Sequence, residues 1–266
     1  MPPILLHIYG PIAIHSFGLM IALGSIVTLY LLQQDKPLRK LISGEQFGTL
    51  FQLSFFSGMI GGRILFLMTN SSMIESWTDC FTVWAGGLSF LGAFIGIVST
   101  LSAYFYYTKL PALSILDRIA LYAPLLQSIS RLGCFFAGCC FGLPTNLPWG
   151  IVYECSDSLA PLHVTLHPTQ LYSSLFLACS FIILLCYDRY YTSKNKHTGQ
   201  ILSLYIMLMS LERFFVDFLR GDQEFFTQPG YFSYLSIQQA LAFWLFLGAV
   251  IMMGFITIYK KQDESI

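Results

Sequence analysis

Residues 115–142 read ILDRIALYAPLLQSISRLGCFFAGCCFG. The first part, about Ile115 to Phe135, is long and apolar enough to cross a bilayer as one helix, which takes roughly 20 residues. Arg131 stands near its end, at a depth where a cation is costly. A loop of small residues and cysteines follows, with no lysine or further arginine through Gly142. A second motif, His167-Pro168-Thr169-Gln170-Leu171-Tyr172, takes the loop up again. The rest of the chain is mostly apolar segment able to hold that arginine in place.

The chain of 266 residues is 55% hydrophobic and 11% charged, with a mean hydropathy of +0.65. A soluble domain carries about 25% charged residues, so this is an all-α polytopic membrane protein with one compact helical domain over residues 1–266. The formal net charge is zero and no basic patch points to nucleic acid. Seven cysteines spread over helices and loops do not make a disulfide scaffold. No lysine or arginine precedes the first apolar run, so no cleavable signal peptide is expected.

Tyr9-Gly10-Pro11 signals a turn. Seven spans follow, at about Ile12–Leu32, Phe47–Met68, Gly86–Tyr107, Ile115–Phe135, Pro168–Tyr187, Gly199–Leu219 and Ser236–Tyr259. Between the fourth and fifth lies a structured loop, about residues 136–167, in which Trp149 to Tyr153 reads as a short strand. The polar links after Thr69 hold Glu75 and Asp79 but no cation. Cytoplasmic loops carry the excess of lysine and arginine. Placing the N-terminus outside puts Lys36, Arg39, Lys40, Lys109, Arg189, Lys194, Lys196, Lys260 and Lys261 inside, with Arg118 at a helix start. The C-terminus is then cytoplasmic and the 136–167 loop extracytoplasmic.

In that orientation Arg63, Arg131, Arg213 and Arg220 fall in the outer half of the membrane, as does His167. Guanidinium groups at that depth face a bundle interior and need partners. Four at one depth suit an anionic group near the outer leaflet, most simply a phospholipid phosphate. Gly133, Gly138 and Gly142 would let backbone N–H groups approach such a phosphate. Positions 213, 217 and 220 share a helical face. With Glu212 they form either an ion-pair ladder that fixes helix packing or a frame in which Asp217 holds the arginines. Gly58, Gly61 and Gly62 before Arg63, and Gly86, Gly87, Gly92 and Gly96, read as packing glycines. The spacing of Cys134, Cys139 and Cys140 is not the paired C-x2-C of a zinc site, and no histidine completes it, so no metal is expected. A disulfide from Cys139 or Cys140 to Cys155 or Cys80 stays open, and Cys179 and Cys186 read as small apolar residues. His167 is either a helix-start residue bonding loop carbonyls or a base in the site. Asp117 reads as a capping anion at the start of its helix.

At these residues the chain resembles the prolipoprotein diacylglyceryl transferases, bacterial inner-membrane enzymes that lipidate lipoprotein precursors. The likeness covers nearly the whole chain. It rests on Gly62-Arg63-Ile64, Gly86-Gly87-Leu88-Ser89-Phe90 with Gly92 to Gly96, Arg131-Leu132-Gly133 with Gly138 and Gly142, His167 to Tyr172, and Arg213-x-x-x-Asp217-x-x-Arg220, in that order. The chain departs from the family pattern at Phe17 (tyrosine), Leu91 (histidine), Cys134 (asparagine), Cys139 (an acid), Leu143 (arginine) and Ser173 (glutamate), and resembles a cysteine-rich branch. The resemblance implies phosphatidylglycerol as donor, the lipobox thiol of a prolipoprotein signal peptide as acceptor, a thioether product, glycerol 1-phosphate as leaving group and no cofactor. It implies Arg131 and Arg213 as catalytic groups; without a histidine at Leu91 a base comes from elsewhere or is unnecessary, and His167 is the candidate catalytic substitute. Arg63, Arg131, Gly133, Cys134, Gly138, Gly142, Tyr172, Asp217 and Arg220 would then meet substrate. Two rival readings are a non-catalytic lipid- or signal-peptide-binding paralogue and a small-solute transporter. Against the transporter stand the lack of an internal repeat and the gathering of charge toward one face.

Overall fold

A computed structural model describes residues 4–9, 12–70, 87–192, 198–222 and 235–263. The expectations at Gly10, Pro11, Glu75, Asp79, Cys80, Gly86, Lys194 and Lys196 lie outside these residues. The described chain is mostly helix. Strands β1 (Ile4–Tyr9) and β2 (Ile12–His15) pair antiparallel. The helices are α1 (Ser16–Gln34), α2 (Lys36–Leu41), α3 (Gly44–Thr69), α4 (Phe90–Thr108), α5 (Ala112–Ala137), α6 (Thr169–Tyr187), α7 (Gln200–Asp217) and α8 (Ile237–Asp263). A π-helical turn, Asp188–Thr192, extends α6. The two-residue strands β3 (Ile151–Val152) and β4 (Thr165–Leu166) pair between α5 and α6.

Six helical segments among the described residues are long and apolar enough to cross a membrane: Ser16–Gln34, Gly44–Thr69, Leu91–Thr108, Ala112–Ala137, Thr169–Tyr190 and Ile237–Ile258. The seventh expected span, α7, has 18 residues but carries Glu212, Arg213 and Asp217 and is not among the six. The expected start of the first span at Ile12 is corrected, because residues 12–15 belong to the hairpin and helix begins at Ser16. Isoleucines at 4, 8, 12 and 14 favour strand on either side of the turn signal.

Polarity is inverted relative to a water-soluble domain. Phe55, Phe56, Ile60, Ile182, Trp244 and Ile251 are exposed, whereas Ser128, Ser174, Ser203, Gln239 and Glu212 are buried. An apolar surface of this extent suits acyl chains and not water. Inside, Ser128 and Ser174 bond across α5 and α6, and the Gln127 amide donates to the Tyr205 hydroxyl at 3.0 Å. Leu121, Leu184 and Ile201 form an apolar core where α5, α6 and α7 meet.

The chain divides into two compact units, Lys36–Ile115 and the remainder. In the 36–115 unit, α3 and α4 run antiparallel at close range: Gly58 faces Ile97, Gly61 faces Gly92 and Gly96, and Gly62 faces Ser89. A Cβ on Gly61 or Gly92 would strike the other helix's backbone, so here the glycines set helix separation, as expected. Ser43 and Gln46 form a capping box on α3. Lys36, Arg39, Lys40 and Lys109 are exposed.

In the other unit, Asp117, Asp35 and Asp188 tie separate helices together through long-range contacts. The Asp117 carboxylate accepts from the N–H groups of Gly199 at 2.6 Å and Leu202 at 2.8 Å. It therefore caps α7, not its own helix α5 as expected, because Gly199 and Leu202 supply the orphan donors of a helix start. Arg118, counted above among orientation charges, is buried. It pairs with Asp35 at 2.5 Å and Asp188 at 2.7 Å. The Tyr122 hydroxyl also donates to Asp35, at 2.9 Å.

Candidate active site

Arg131 lies in the penultimate turn of α5 and is partly buried. Its Nη2 is 3.9 Å from Oε1 of Glu212 on α7, and its Nη1 is 3.8 Å from Sγ of Cys140. Glu212 is 1% exposed, and Oε1 has no hydrogen bond among the described residues. One turn along α7, Asp217 faces Arg213 at 3.4 Å and Arg220 at 3.7 Å, and accepts from the Ser236 hydroxyl at 3.2 Å. Arg213 also bonds Gln238 of α8, and Arg220 makes two 2.9 Å bonds to Asp222. Arg131, Arg213 and Arg220 stand close enough to act on one another electrostatically. Asp217 reaches Arg213 within α7 and Arg220 beyond its end, so the expected contacts form although position 220 is not on the helix, and three of the four expected arginines gather in one unit.

Arg63 belongs to the 36–115 unit. There its Nη1 donates to the Gly87 carbonyl at 2.9 Å, and its guanidinium lies 5.5 Å from the centre of the Phe66 ring. Leu91, at the family's histidine position, is 58% exposed.

The loop after α5 is folded onto both its flanking helices. Gly138 and Cys140 take positive φ, 75° and 59°, and turn the chain back over the helix end. Thr169 Oγ1 donates to the Cys140 carbonyl at 2.7 Å, and Gln170 Nε2 to the Cys139 carbonyl at 2.8 Å. Gly142 pairs with Arg220, Leu143 N–H donates to the Leu219 carbonyl at 2.8 Å, and Gly221 N–H to Phe141 at 3.0 Å. This pairing carries Arg220 to the cysteines. The expected strand over 149–153 narrows to Ile151–Val152, paired with β4, and Tyr153, Ala160 and Leu166 form the loop's own core. Burial pushes the Tyr153 phenol up to about 12, and its hydroxyl donates to the Phe135 carbonyl at 3.0 Å.

Gly133, Gly138 and Gly142 each meet protein where a Cβ would stand. Gly133 packs on Phe17 and Met20, Gly138 on Ser158, and Gly142 on His167 and the Leu219 carbonyl. The space a Cβ would need is taken by the chain itself. His167 and Tyr172 are neighbours: Nδ1 of His167 is 3.4 Å from the Tyr172 hydroxyl, which accepts from Trp149 at 2.8 Å. Cys155, Cys179 and Cys186 are free thiols, as are Cys134, Cys139 and Cys140. The last three converge, with all Sγ atoms within 4.8 Å of one another. Cys140 is held far below the usual thiol range by the S–H groups of Cys134 and Cys139, then by Arg220 and Arg131, while hydrogen bonding with Cys134 and Cys140, then burial, pushes Cys139 up. Sequence spacing missed this cluster, as it missed the pinning roles of Thr169 and Gln170. The positive φ at Cys140 that closes it leaves no sequence signal.

The family model for prolipoprotein diacylglyceryl transferase matches residues 3–255. The chain belongs to the prolipoprotein diacylglyceryl transferase family. It is 32% identical over 264 residues to a phosphatidylglycerol–prolipoprotein diacylglyceryl transferase of Clostridium tetani, covering 98% of this chain and 100% of that one. It is similar at 32% over 260 residues to the Clostridium perfringens protein named as the second such transferase, covering 97% and 96%. A Cutibacterium acnes protein of the same name is 30% identical over 264 residues, covering 96% and 86%. Among transferases of this family, then, the chain carries three clustered arginines beside three clustered thiols.

Proposed function

We propose that this protein transfers the diacylglyceryl group of phosphatidylglycerol to the lipobox cysteine of prolipoproteins, the reaction for which its relatives are named. It is a transferase of lipoprotein maturation and a multi-pass membrane protein. In our reading α7 is the sixth of seven spans, and residues 1–266 act as one functional domain. The N-terminus and the 136–167 loop face outside, the exposed Lys36, Arg39, Lys40, Lys109 and Arg189 face the cytoplasm, and the membrane is the bacterial inner membrane.

The observation that carries this reading is the grouping of Arg131, Arg213 and Arg220 around Glu212 and Asp217. The acceptor thiolate attacks the glycerol carbon bearing the phosphate ester. A C–S bond forms, the C–O bond breaks, and glycerol 1-phosphate leaves with the electron pair. The arginines face the charge that grows on the departing phosphate. Arg131, which makes no hydrogen bond to an oxygen among the described residues, has donors to give. Asp217 positions Arg213 and Arg220. Arg63 is a further phospholipid contact by its motif. Gly133, Gly138 and Gly142 shape the loop, and Cys134 lines it. His167, oriented by Tyr172, takes the thiol proton. No cofactor enters, since a phosphate monoester leaves readily.

Transfer of labelled diacylglycerol from phosphatidylglycerol vesicles to a lipobox peptide tests the reading. Arg131→Ala should lower the rate by about 10²–10³-fold, the cost of one oxyanion donor. A full rate in Arg131→Ala would remove the phosphate assignment, and a full rate in His167→Ala would remove the base. Binding of phosphatidylglycerol with no thioether in the wild type would mark a binding paralogue instead.

A further inference from the structure

Three thiols from two sides of one tight turn meet at the end of α5. Cys134 is in the last turn of the helix, and Cys139 and Cys140 follow the reversal at Gly138. All three sulfurs lie within 4.8 Å of one another. Bonds of about 2.3 Å from three sulfurs to one tetrahedral zinc ion require sulfurs about 3.8 Å apart. The cluster closes on an ion with shifts of under about 1 Å per sulfur.

We propose that Cys134, Cys139 and Cys140 bind one soft divalent cation of the zinc class through three thiolates. Soft thiolates select such ions over magnesium or calcium. Three thiolates and one divalent ion leave one net negative charge, which Arg131, 3.8 Å from the Cys140 sulfur, offsets.

The ligands are also held from behind, as bound metals require. Thr169 and Gln170, each 1% exposed, fix the carbonyls of Cys140 and Cys139. The Tyr153 hydroxyl fixes the Phe135 carbonyl next to Cys134. Apart from one another, the sulfurs meet polar groups among the described residues at long range, Cys139 at 3.8 Å from the Cys134 carbonyl and Cys140 at 3.8 Å from Arg131. Binding exchanges thiol protons for the metal, the protons passing to solvent. None of this depends on the transfer reaction.

The test uses full-length, reduced protein in detergent with Cd(II) alone as the probe. A thiolate-to-metal charge-transfer band should rise to a plateau at one Cd(II) per chain. Peptide mapping of wild-type protein should show alkylation of Cys139 and Cys140 by iodoacetamide lost on adding Cd(II), with Cys155, Cys179 and Cys186 still modified. Cys139→Ser should weaken Cd(II) binding at least about tenfold, since even an outer partner costs that much. Unchanged alkylation at Cys139 and Cys140, protection confined to the other thiols, or a disulfide among the three in the reduced protein would each overturn the proposal. The mapping needs no variant, so a misfolded mutant leaves the test intact.

Discussion

Replacing Asp117 by alanine should loosen the start of α7, 82 residues away in sequence. The carboxylate accepts at 2.6 Å and 2.8 Å from Gly199 and Leu202. Alanine orphans both N–H groups, at about 1–3 kcal/mol each. It also removes a negative charge from the positive end of a helix, at about 0.3–1 kcal/mol more. The expected loss is therefore about 2–7 kcal/mol. Asparagine retains one acceptor and should lose roughly half as much. Equilibrium unfolding in mixed detergent reads the total. Native-state hydrogen exchange reads the place: protection at Gly199, Leu202 and the following turn should fall at least tenfold, a factor equal to about 1.4 kcal/mol of local opening. If Asp117 capped only α5, the loss would be about 1 kcal/mol, with α7 amides unchanged. That outcome would refute the cross-helix assignment.

Asp35→Ala leaves buried Arg118 with Asp188 as its one carboxylate among the described residues, and should cost about 3–5 kcal/mol in the same unfolding assay. Gly92→Leu would drive a side chain into the α3 backbone at Gly61; overpacking of this kind costs about 1–3 kcal/mol or more, and limited proteolysis should show the 36–115 unit opening first. Tyr153→Phe loses the bond to the Phe135 carbonyl, worth about 1 kcal/mol. Because burial raises this phenol to about 12, the folded state favours the neutral form. Its stabilisation is full below the unfolded value of about 10 and is lost as pH rises from there toward 12. Alkaline unfolding curves should show that decline in wild type and lack its Tyr153 part in the phenylalanine variant.

Local patterns in the sequence were enough for the helices and for one cluster. Apolar runs located the spans to within a few residues, except where the 12–15 strand took the first turn from α1. Arg213 meets Asp217 because i, i+4 neighbours share a face on any helix, whereas Arg220, past the end of α7, reaches Asp217 through the turn that follows and the bridge to Gly142. The Arg118 cluster joins residues 83 and 70 positions apart, and nothing local marks Asp35 and Asp188 as its partners. Charge counting therefore places Arg118 at a cytoplasmic helix start and says nothing of its partners. The glycines of the signature loop showed that backbone comes close there, but not to what; the structure answers with Phe17, Ser158 and His167. Spacing along the chain does not show that the three thiols meet, because their convergence depends on a left-handed residue at Cys140.

Among the described residues, α7 is the one helix of 18 or more residues that does not rank among the six membrane-crossing segments, and it carries Glu212, Arg213 and Asp217 of the candidate site. Glu212, Arg213 and Asp217 would each make α7 costly to place in a bilayer alone, by a few kcal/mol per charge. In the folded protein Arg213 and Asp217 pair within α7, and further partners come from elsewhere: Arg131 from α5, and Gln238 and Ser236 from α8 and the residue before it. The start of α7 is likewise capped by Asp117 of α5. If α7 crosses the membrane, as we propose, a helix so dependent on its neighbours becomes stable there only once α5 and α8 flank it. The same dependence keeps the arginines in fixed positions, because any rotation of α7 that released them would expose Glu212 or Asp217 to acyl chains.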